Sequence, residues 1–453
     1  MSPVNRNQLL RAAVAGGMMV SMASSINLGA QSADALLNKL VEKGILTKTE
    51  AEDLRKQTDQ EFTKSYQAKS GLPDWVTSLK FNGDFRARYE GHYAENDNFV
   101  ERHRFRYRLR FGVLATLKDD FDVGFRLASG DPVSGFSNNA GNPLSGSTTL
   151  QDNATRKFLY LDLAYARWNF VHSAEMAGSV TFGKMEMPFV FSHVVFDPDY
   201  NPEGLAANLA YHLSDQHTVK GSVGGFVLDE LSASSHDPYL LGAQLRLESK
   251  WTPRIATSLG VAALGIVRDE SLNNSNVPNV NRGNTRDATG APEDDFEPIV
   301  VDASVTYMVD SFPLYAGPFP IKVGAEYMYN PGADDRNQAF APGINFGKTG
   351  KKGQWEFSYQ YRYIGGDSWY EELPDDDFGA FYQVQQANAG FTSPGAGFGG
   401  GTNLRGHVGK LYYSVTDSLL IGATYYRGDL ITSSPAGASS VATHLLADLI
   451  WKF

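Results

Sequence analysis

Arg102-His103-Arg104-Phe105-Arg106-Tyr107-Arg108-Leu109-Arg110-Phe111 carries arginine on every even position and, after His103, an apolar or aromatic residue on every odd one. A helix would spread these arginines around its whole surface, whereas a strand points them to one side and Phe105, Tyr107, Leu109 and Phe111 to the other. One face of this strand is cationic and wet; the other is apolar. The stretch before it behaves alike, with Leu79, Phe81, Phe85, Ala87 and Tyr89 opposite Lys80, Asn82, Asp84, Arg86, Arg88 and Glu90. After it, Lys118-Asp119-Asp120 is a tight turn leading into Phe121, Val123, Phe125 and Leu127, with Arg126 on the polar side.

The same two-residue period recurs to the end of the chain. Tyr239, Leu241, Ala243, Leu245 and Leu247 oppose Gln244, Arg246 and Glu248; Trp355, Phe357, Tyr359, Tyr361 and Tyr363 oppose Glu356, Gln360 and Arg362; Leu445, Ala447, Leu449, Trp451 and Phe453 oppose His444, Asp448 and Lys452. A soluble sheet turns its apolar face to a core, but a barrel in an outer membrane turns it to lipid and keeps the charged face in a water-filled lumen. The mean hydropathy of −0.31 is compatible with that, since such a barrel alternates polar and apolar residues and carries long polar loops. Outside the N-terminus no apolar run approaches the roughly 18 to 20 residues of a membrane-spanning helix. The 453 residues include no cysteine, which excludes disulfides and thiolate metal sites. A formal charge of −11 argues against nucleic acid as a partner.

Residues 1–30 pair Arg6 and Arg11 with the apolar run Ala12 to Val20 and then small residues through Ala30, the order of a secretory signal peptide. Residues 31–74 carry the only helical periodicity, with Leu36, Leu37, Leu40 and Val41 on one face and a capping box at Thr47 to Glu50, and read as a short periplasmic amphipathic segment. Residues 75–453 form the barrel. Long loops collect on one face at roughly 130–156, 187–203, 268–296 and 365–401, and short turns on the other, if Gln338 to Lys348 is a short strand and Thr349 to Gly353 its turn. The fold class is then all-β, a transmembrane antiparallel β-barrel of about sixteen strands, beginning near 79, 104, 121, 157, 178, 204, 217, 238, 254, 297, 319, 338, 353, 402, 418 and 441.

This phase assigns Arg86, Arg88, Arg102, Arg104, Arg106, Arg108, Arg110 and Arg126 to the lumen as pore-lining residues. Alternate side chains on a strand lie roughly 6.6 Å apart, so these guanidinium groups repel unless carboxylates or anions intervene. Asp84, Glu90, Asp122 and Asp162 are placed to supply carboxylates. The 365–401 loop is long enough to reach inward, and its acids Glu371, Glu372, Asp375, Asp376 and Asp377 are candidates for a constriction that faces the cationic wall. His193 with Asp197 and Asp199, or His236 with Asp237, are the nearest approach to a catalytic grouping, and no Gly-x-Ser-x-Gly, His-Glu-x-x-His or P-loop accompanies them. No EF-hand spacing occurs among the acidic loops. The expectation is no enzyme, no cofactor and no metal.

Three pieces resemble the "putative porin" family of bacterial outer membranes: Tyr-Leu-Asp-Leu-Ala-Tyr-Ala-Arg-Trp at 160–168, Phe-Gly-Lys-Met-Glu-Met-Pro-Phe at 182–189, and Phe-Asp-Pro-Asp-Tyr-Asn-Pro-Glu-Gly-Leu at 196–205. Leu-Leu-Asn-Lys-Leu-Val-Glu-Lys-Gly-Ile-Leu-Thr at 36–47 resembles the segment ahead of barrels in that family and in phosphate-selective porins, and Trp451-Lys452-Phe453 resembles a barrel-assembly signal. The resemblance implies a monomeric or trimeric diffusion channel without catalytic residues. The reading is a passive outer-membrane porin for small hydrophilic solutes, anion-preferring through a lumenal arginine ladder. Its partners are outer-membrane lipid, solutes or anions, and further copies in a homotrimer. The alternative is a structural or adhesive barrel whose N-terminal helices contact an envelope partner; an outer-membrane hydrolase ranks below both.

Overall fold

A computed structural model describes residues 72–97, 99–132, 144–273, 283–382, 397–432 and 439–453. The expected signal peptide and the 31–74 helical segment, apart from Leu72, Pro73 and Asp74, lie outside these residues. The barrel is a closed antiparallel sheet of sixteen staves: β1 (Val76–Ala94), β2 (Arg102–Leu117), β3 (Phe121–Gly130), β4 (Phe158–His172), β5 (Met176–Lys184), β6 (Glu203–His212), β7 (His217–Val227), β8 (Tyr239–Lys250), β9 (Ile255–Val267), β10 (Ile299–Val309), β11 (Phe319–Tyr329), β12 (Gln338–Phe340 with Gly343–Gly347), β13 (Trp355–Ile364), β14 (Leu404–Ser414), β15 (Leu419–Leu430) and β16 (Ala442–Lys452). Every start agrees with the sequence expectation within three residues. β1 closes the ring on β16, in register from Asp84 opposite Lys452 to Ala94 opposite Ala442. Closure leaves no open sheet edge to face lipid, where unpaired backbone groups are not tolerated.

Alternation determines which way each residue faces. Phe105, Phe182, Leu245 and Leu411 are more than half exposed on the outside, while their strand neighbours Arg106, Thr181, Gln244 and Arg246 are buried inside. β12 is interrupted at Ala341-Pro342 because proline has no N–H for the ladder. Ala341 still exchanges two backbone hydrogen bonds with Glu326, of 2.9 and 3.3 Å, so the register survives the break.

Two long connections turn into the barrel instead of covering it from outside. After β5, Gly183 takes φ +118°, and a Cβ there would lie 2.3 Å from the Ala164 carbonyl oxygen, so only glycine fits where the chain leaves the wall. Met185, Phe189, Val194, Val195 and Phe196 then bury themselves against the inner faces of β6 to β9. After β13, Trp369, Tyr370, Leu373 and Phe378 join the same cluster. The inner wall there is apolar or small, with Ala206, Phe226, Leu240, Ala262, Val300 and Met328. Such a surface is stabilised by cover, not by water.

Candidate functional site

The opposite side of the lumen is charged. β16, β1 and β2 are adjacent, and their inward rows read Lys452, Ile450, Asp448, Leu446 and His444; Asp84, Arg86, Arg88, Glu90 and His92; and Arg110 back to Arg102. Arg88 grips Asp448 with two parallel bonds, Nε to Oδ1 at 2.7 Å and Nη2 to Oδ2 at 2.9 Å. Glu90 is a hub: it accepts from Arg104 at 2.6 and 2.8 Å and from Arg106 at 3.2 Å, and both His92 and His444 lie 3.0 Å away through Nε2. Asp84 accepts from Arg108 at 3.0 and 3.2 Å and from Arg110 at 2.6 Å. Arg126 reaches Asp162 at 2.5 Å and Glu186 at 2.9 Å. The expected carboxylates therefore pair with the ladder except Asp122, which instead accepts from the Asn169 amide at 2.9 Å, while Arg167 opposite it on β4 donates to the Thr181 hydroxyl at 3.2 Å.

The inward loops are tied by a second set of bonds. Glu326 on β11 accepts from the Ser192 N–H at 2.9 Å and its hydroxyl at 2.5 Å, and the Gln244 amide exchanges two 2.9 Å bonds with the backbone of Val190. The Trp369 indole donates to the Val195 carbonyl at 2.9 Å, joining one loop to the other. Its ring meets Phe196 edge-on at 6.1 Å and Phe296 at 6.4 Å. Glu371 accepts from Arg286 at 2.6 and 3.0 Å, and neither side chain has any exposed surface. Asp375 accepts from Arg362 at 2.7 Å, whose guanidinium also lies 5.3 Å over the Phe378 ring. Although burial opposes it, Arg362 and then His193 hold the Asp375 carboxyl well below the usual carboxylate range. Burial, reinforced by Asp376, Asp375 and Asp199, pushes Asp197 the other way, well above that range.

The five acids proposed for a constriction thus divide. Asp376 and Asp377 line the lumenal cavity, and Asp377 stands 3.7 Å from Arg88. Glu371 and Asp375 are corrected to ties between the loop and neighbouring elements, since each is buried against an arginine of another element, Arg286 and Arg362. Glu372 is half-buried and off the cavity lining.

That cavity has a volume of about 1070 Å³ and runs between the cationic wall and the loop acids Asp197, Asp199, Asp376 and Asp377. Arg86, Arg88, Arg102, Arg104, Arg106 and Arg108 border it; Arg110 and Arg126 do not, the latter being drawn to acids on and beyond β4. Lys410 and Lys452 border it too, and the sequence reading did not assign them. Their signal was their phase, opposite Leu411 and Trp451 on the apolar side. Among the described residues, Arg86, Arg102, Lys410 and Lys452 have no carboxylate within ion-pair distance. Glu90, Asp131, Asp199, Asp377 and Asp448, by contrast, each face a cationic partner. Glu90, His92 and His444 bring ligand atoms within 4.8 Å of one another, but two guanidinium groups already occupy the Glu90 oxygens, which disfavours a metal ion there. His193 faces Asp375 at 3.7 Å and is driven toward its neutral form by burial.

A closed barrel with an apolar exterior and a polar lumen now stands beside a match to a known family. Residues 99–289 match the model of the "putative porin" family. Over that segment the chain is similar to this family of porins. The porin match contains all three internal motifs quoted above, and the geometry gives them a purpose: Phe-Gly-Lys-Met-Glu-Met-Pro-Phe and Phe-Asp-Pro-Asp-Tyr-Asn-Pro-Glu-Gly-Leu are the two ends of the first inward loop. No curated protein matches the chain. Solved structures similar to this chain include OprB of Pseudomonas putida at high pH (13% identity, 87% of this chain and 97% of that one, TM-score 0.49). Others are OmpF of Salmonella typhi in complex with daunomycin (10%, 83% and 97%, 0.46) and a mutant porin of Rhodopseudomonas blastica (8%, 83% and 100%, 0.39).

Proposed function

We propose that this barrel is an outer-membrane porin, an anion-preferring diffusion channel whose path follows the cationic wall, with Asp376 and Asp377 of the inward loop forming the opposite side of the constriction. The observation that carries the reading is the imbalance in partnering along the cavity. Arg86, Arg102, Lys410 and Lys452 stand without carboxylates, while most lining carboxylates are engaged by cations. A pore wall with uncompensated positive charge raises the local concentration of anions and lowers that of cations. The paired arginines serve as a braced wall that keeps the inner face of β16, β1 and β2 open to water.

The test is the reversal potential across a planar bilayer under a potassium chloride gradient. Anion preference is expected, and it falls when Arg106 and Arg108 are both replaced by Ser and when Arg102 and Lys452 are both replaced by Gln, the second pair acting without disturbing ion pairs. Cation preference in the wild-type channel contradicts the reading. A barrel that inserts and never conducts would favour the structural or adhesive alternative.

A further inference from the structure

Arg86 differs from every other buried guanidinium of the cationic wall. It is 8% exposed, as buried as Arg88, Arg106 and Arg108, yet each of those three holds at least one carboxylate. Arg86 donates one bond, from Nη2 to the Ser147 hydroxyl at 2.7 Å, and its Nε has no acceptor. The carboxylates nearby on its own and adjacent strands are taken: Asp448 by both donors of Arg88 and by the Tyr412 hydroxyl, Asp84 by Arg108 and Arg110. Asp199 on the inward loop faces Arg108 at 3.3 Å. A charge removed from water without a partner is costly, so buried charges in folded proteins are paired. Here the barrel provides the cation, holds its orientation through Ser147, and leaves the partner to come from the lumen.

We propose that Arg86 forms a saturable binding site for a small oxyanion, a carboxylate or a phosphate, within the channel. Lys452 adds to it: on paired strands β1 and β16, Arg86 lies opposite Ile450, and Lys452 is the next inward residue on that strand. Lys452 also borders the cavity without a carboxylate partner. The choice of oxyanion over halide follows from the guanidinium, a planar fork of donors that matches two oxygens of one group and gains only a single contact from a monatomic ion. The inference rests on the lumen being a conducting, anion-accessible path, and the test separates the two.

Chloride current is measured in single channels at fixed potassium chloride while inorganic phosphate or acetate is added, with reversal potentials taken in the same bilayers. The site predicts that at least one of the two oxyanions reduces chloride current to a plateau with a definite half-saturating concentration. Arg86→Gln removes the plateau. Arg86→Lys keeps the charge, loses the fork and raises the half-saturating concentration by about tenfold. It also carries the test if the glutamine variant fails to insert. A wild-type current that falls without saturation, or a plateau unchanged in both variants, overturns the site while a measured anion preference leaves the channel reading intact. A cation-selective or silent wild-type barrel overturns both.

Discussion

The inner wall from β6 to β13 and the inner wall at β16, β1 and β2 are built from the same alternating strand, and they end in opposite states. In the first, apolar inward positions such as Ala206, Phe226, Leu240 and Val300 cluster together beside a few polar anchors such as Gln244 and Glu326, and two loops leave the rim to cover them. In the second, the inward positions are arginines and carboxylates that cross-link sideways, and the wall borders a cavity of about 1070 Å³. Apolar surface facing a lumen gains by being covered, at about 1.5–3 kcal/mol for each large side chain fully buried. A charged surface loses by being covered unless every charge is paired. The hydropathy of the inward row therefore decides which side of the barrel is plugged and which is left for solutes.

The largest expected effect comes from breaking the covered half. Trp369 is fully buried at the meeting point of the two loops, and Trp369→Ala is expected to cost the loop packing about 3–5 kcal/mol. Single-channel conductance should rise and become noisy while the barrel keeps its heat-modifiable gel migration; unchanged conductance would show that the loops do not occupy the lumen. Next comes Glu371→Gln, which leaves the Arg286 guanidinium with the Leu272 and Gly290 carbonyls but without its compensating charge in a site with no exposed surface, at a cost of about 3 kcal/mol. Replacing both, Glu371→Gln with Arg286→Met, should return much of that loss. A thermal-unfolding cycle of the four proteins checks the coupling.

The charged half should respond in selectivity as well as in stability. Glu90→Gln frees Arg104 and Arg106 from their common carboxylate, and the anion-to-cation permeability ratio is expected to rise about two- to fivefold. A ratio that stays constant would mean that these arginines do not face the path.

The smallest effect is a pH dependence in the loop that caps the covered half. Burial, then the neighbouring Asp295, pushes Asp269 from its ordinary 3.8 up to about 6, where it accepts the Phe296 N–H at 3.2 Å. An acid raised on folding favours the folded loop in its protonated form, so its contribution is full below its ordinary pKa and is lost as pH rises through about 6. Protection of the Phe296 amide, measured against the intrinsic exchange rate at each pH, should fall across that interval in the wild type and stay constant in Asp269→Asn.

Strand number, order and facing were legible because alternation is local: each strand such as Trp355–Ile364 announces its own two faces. The pairing of Glu90 and Asp84 with the ladder was legible for the same reason, since both lie on the strand next to the arginines. The fate of the loops was not. The 187–203 loop resembled a solvated surface connection, and its inward turn depends on Gly183 beside Ala164 and on the Ser192 bonds to Glu326, contacts between residues far apart in sequence. The split among the five acids was hidden likewise, because Arg286 and Arg362, which withdraw Glu371 and Asp375 from the lumen, belong to other elements. Long-range partnering, not composition, separates a lining acid from a structural one.

The chain contains no cysteine, so single cysteines can report which half is open. Ile450 borders the cavity on the cationic side, and Ala206 is 1% exposed beneath the inward loop. Current through Ile450→Cys channels is expected to drop on adding a charged thiol reagent, and current through Ala206→Cys channels to remain unchanged. Equal modification at both positions, or modification at Ala206→Cys alone, would contradict a path that follows the arginine wall.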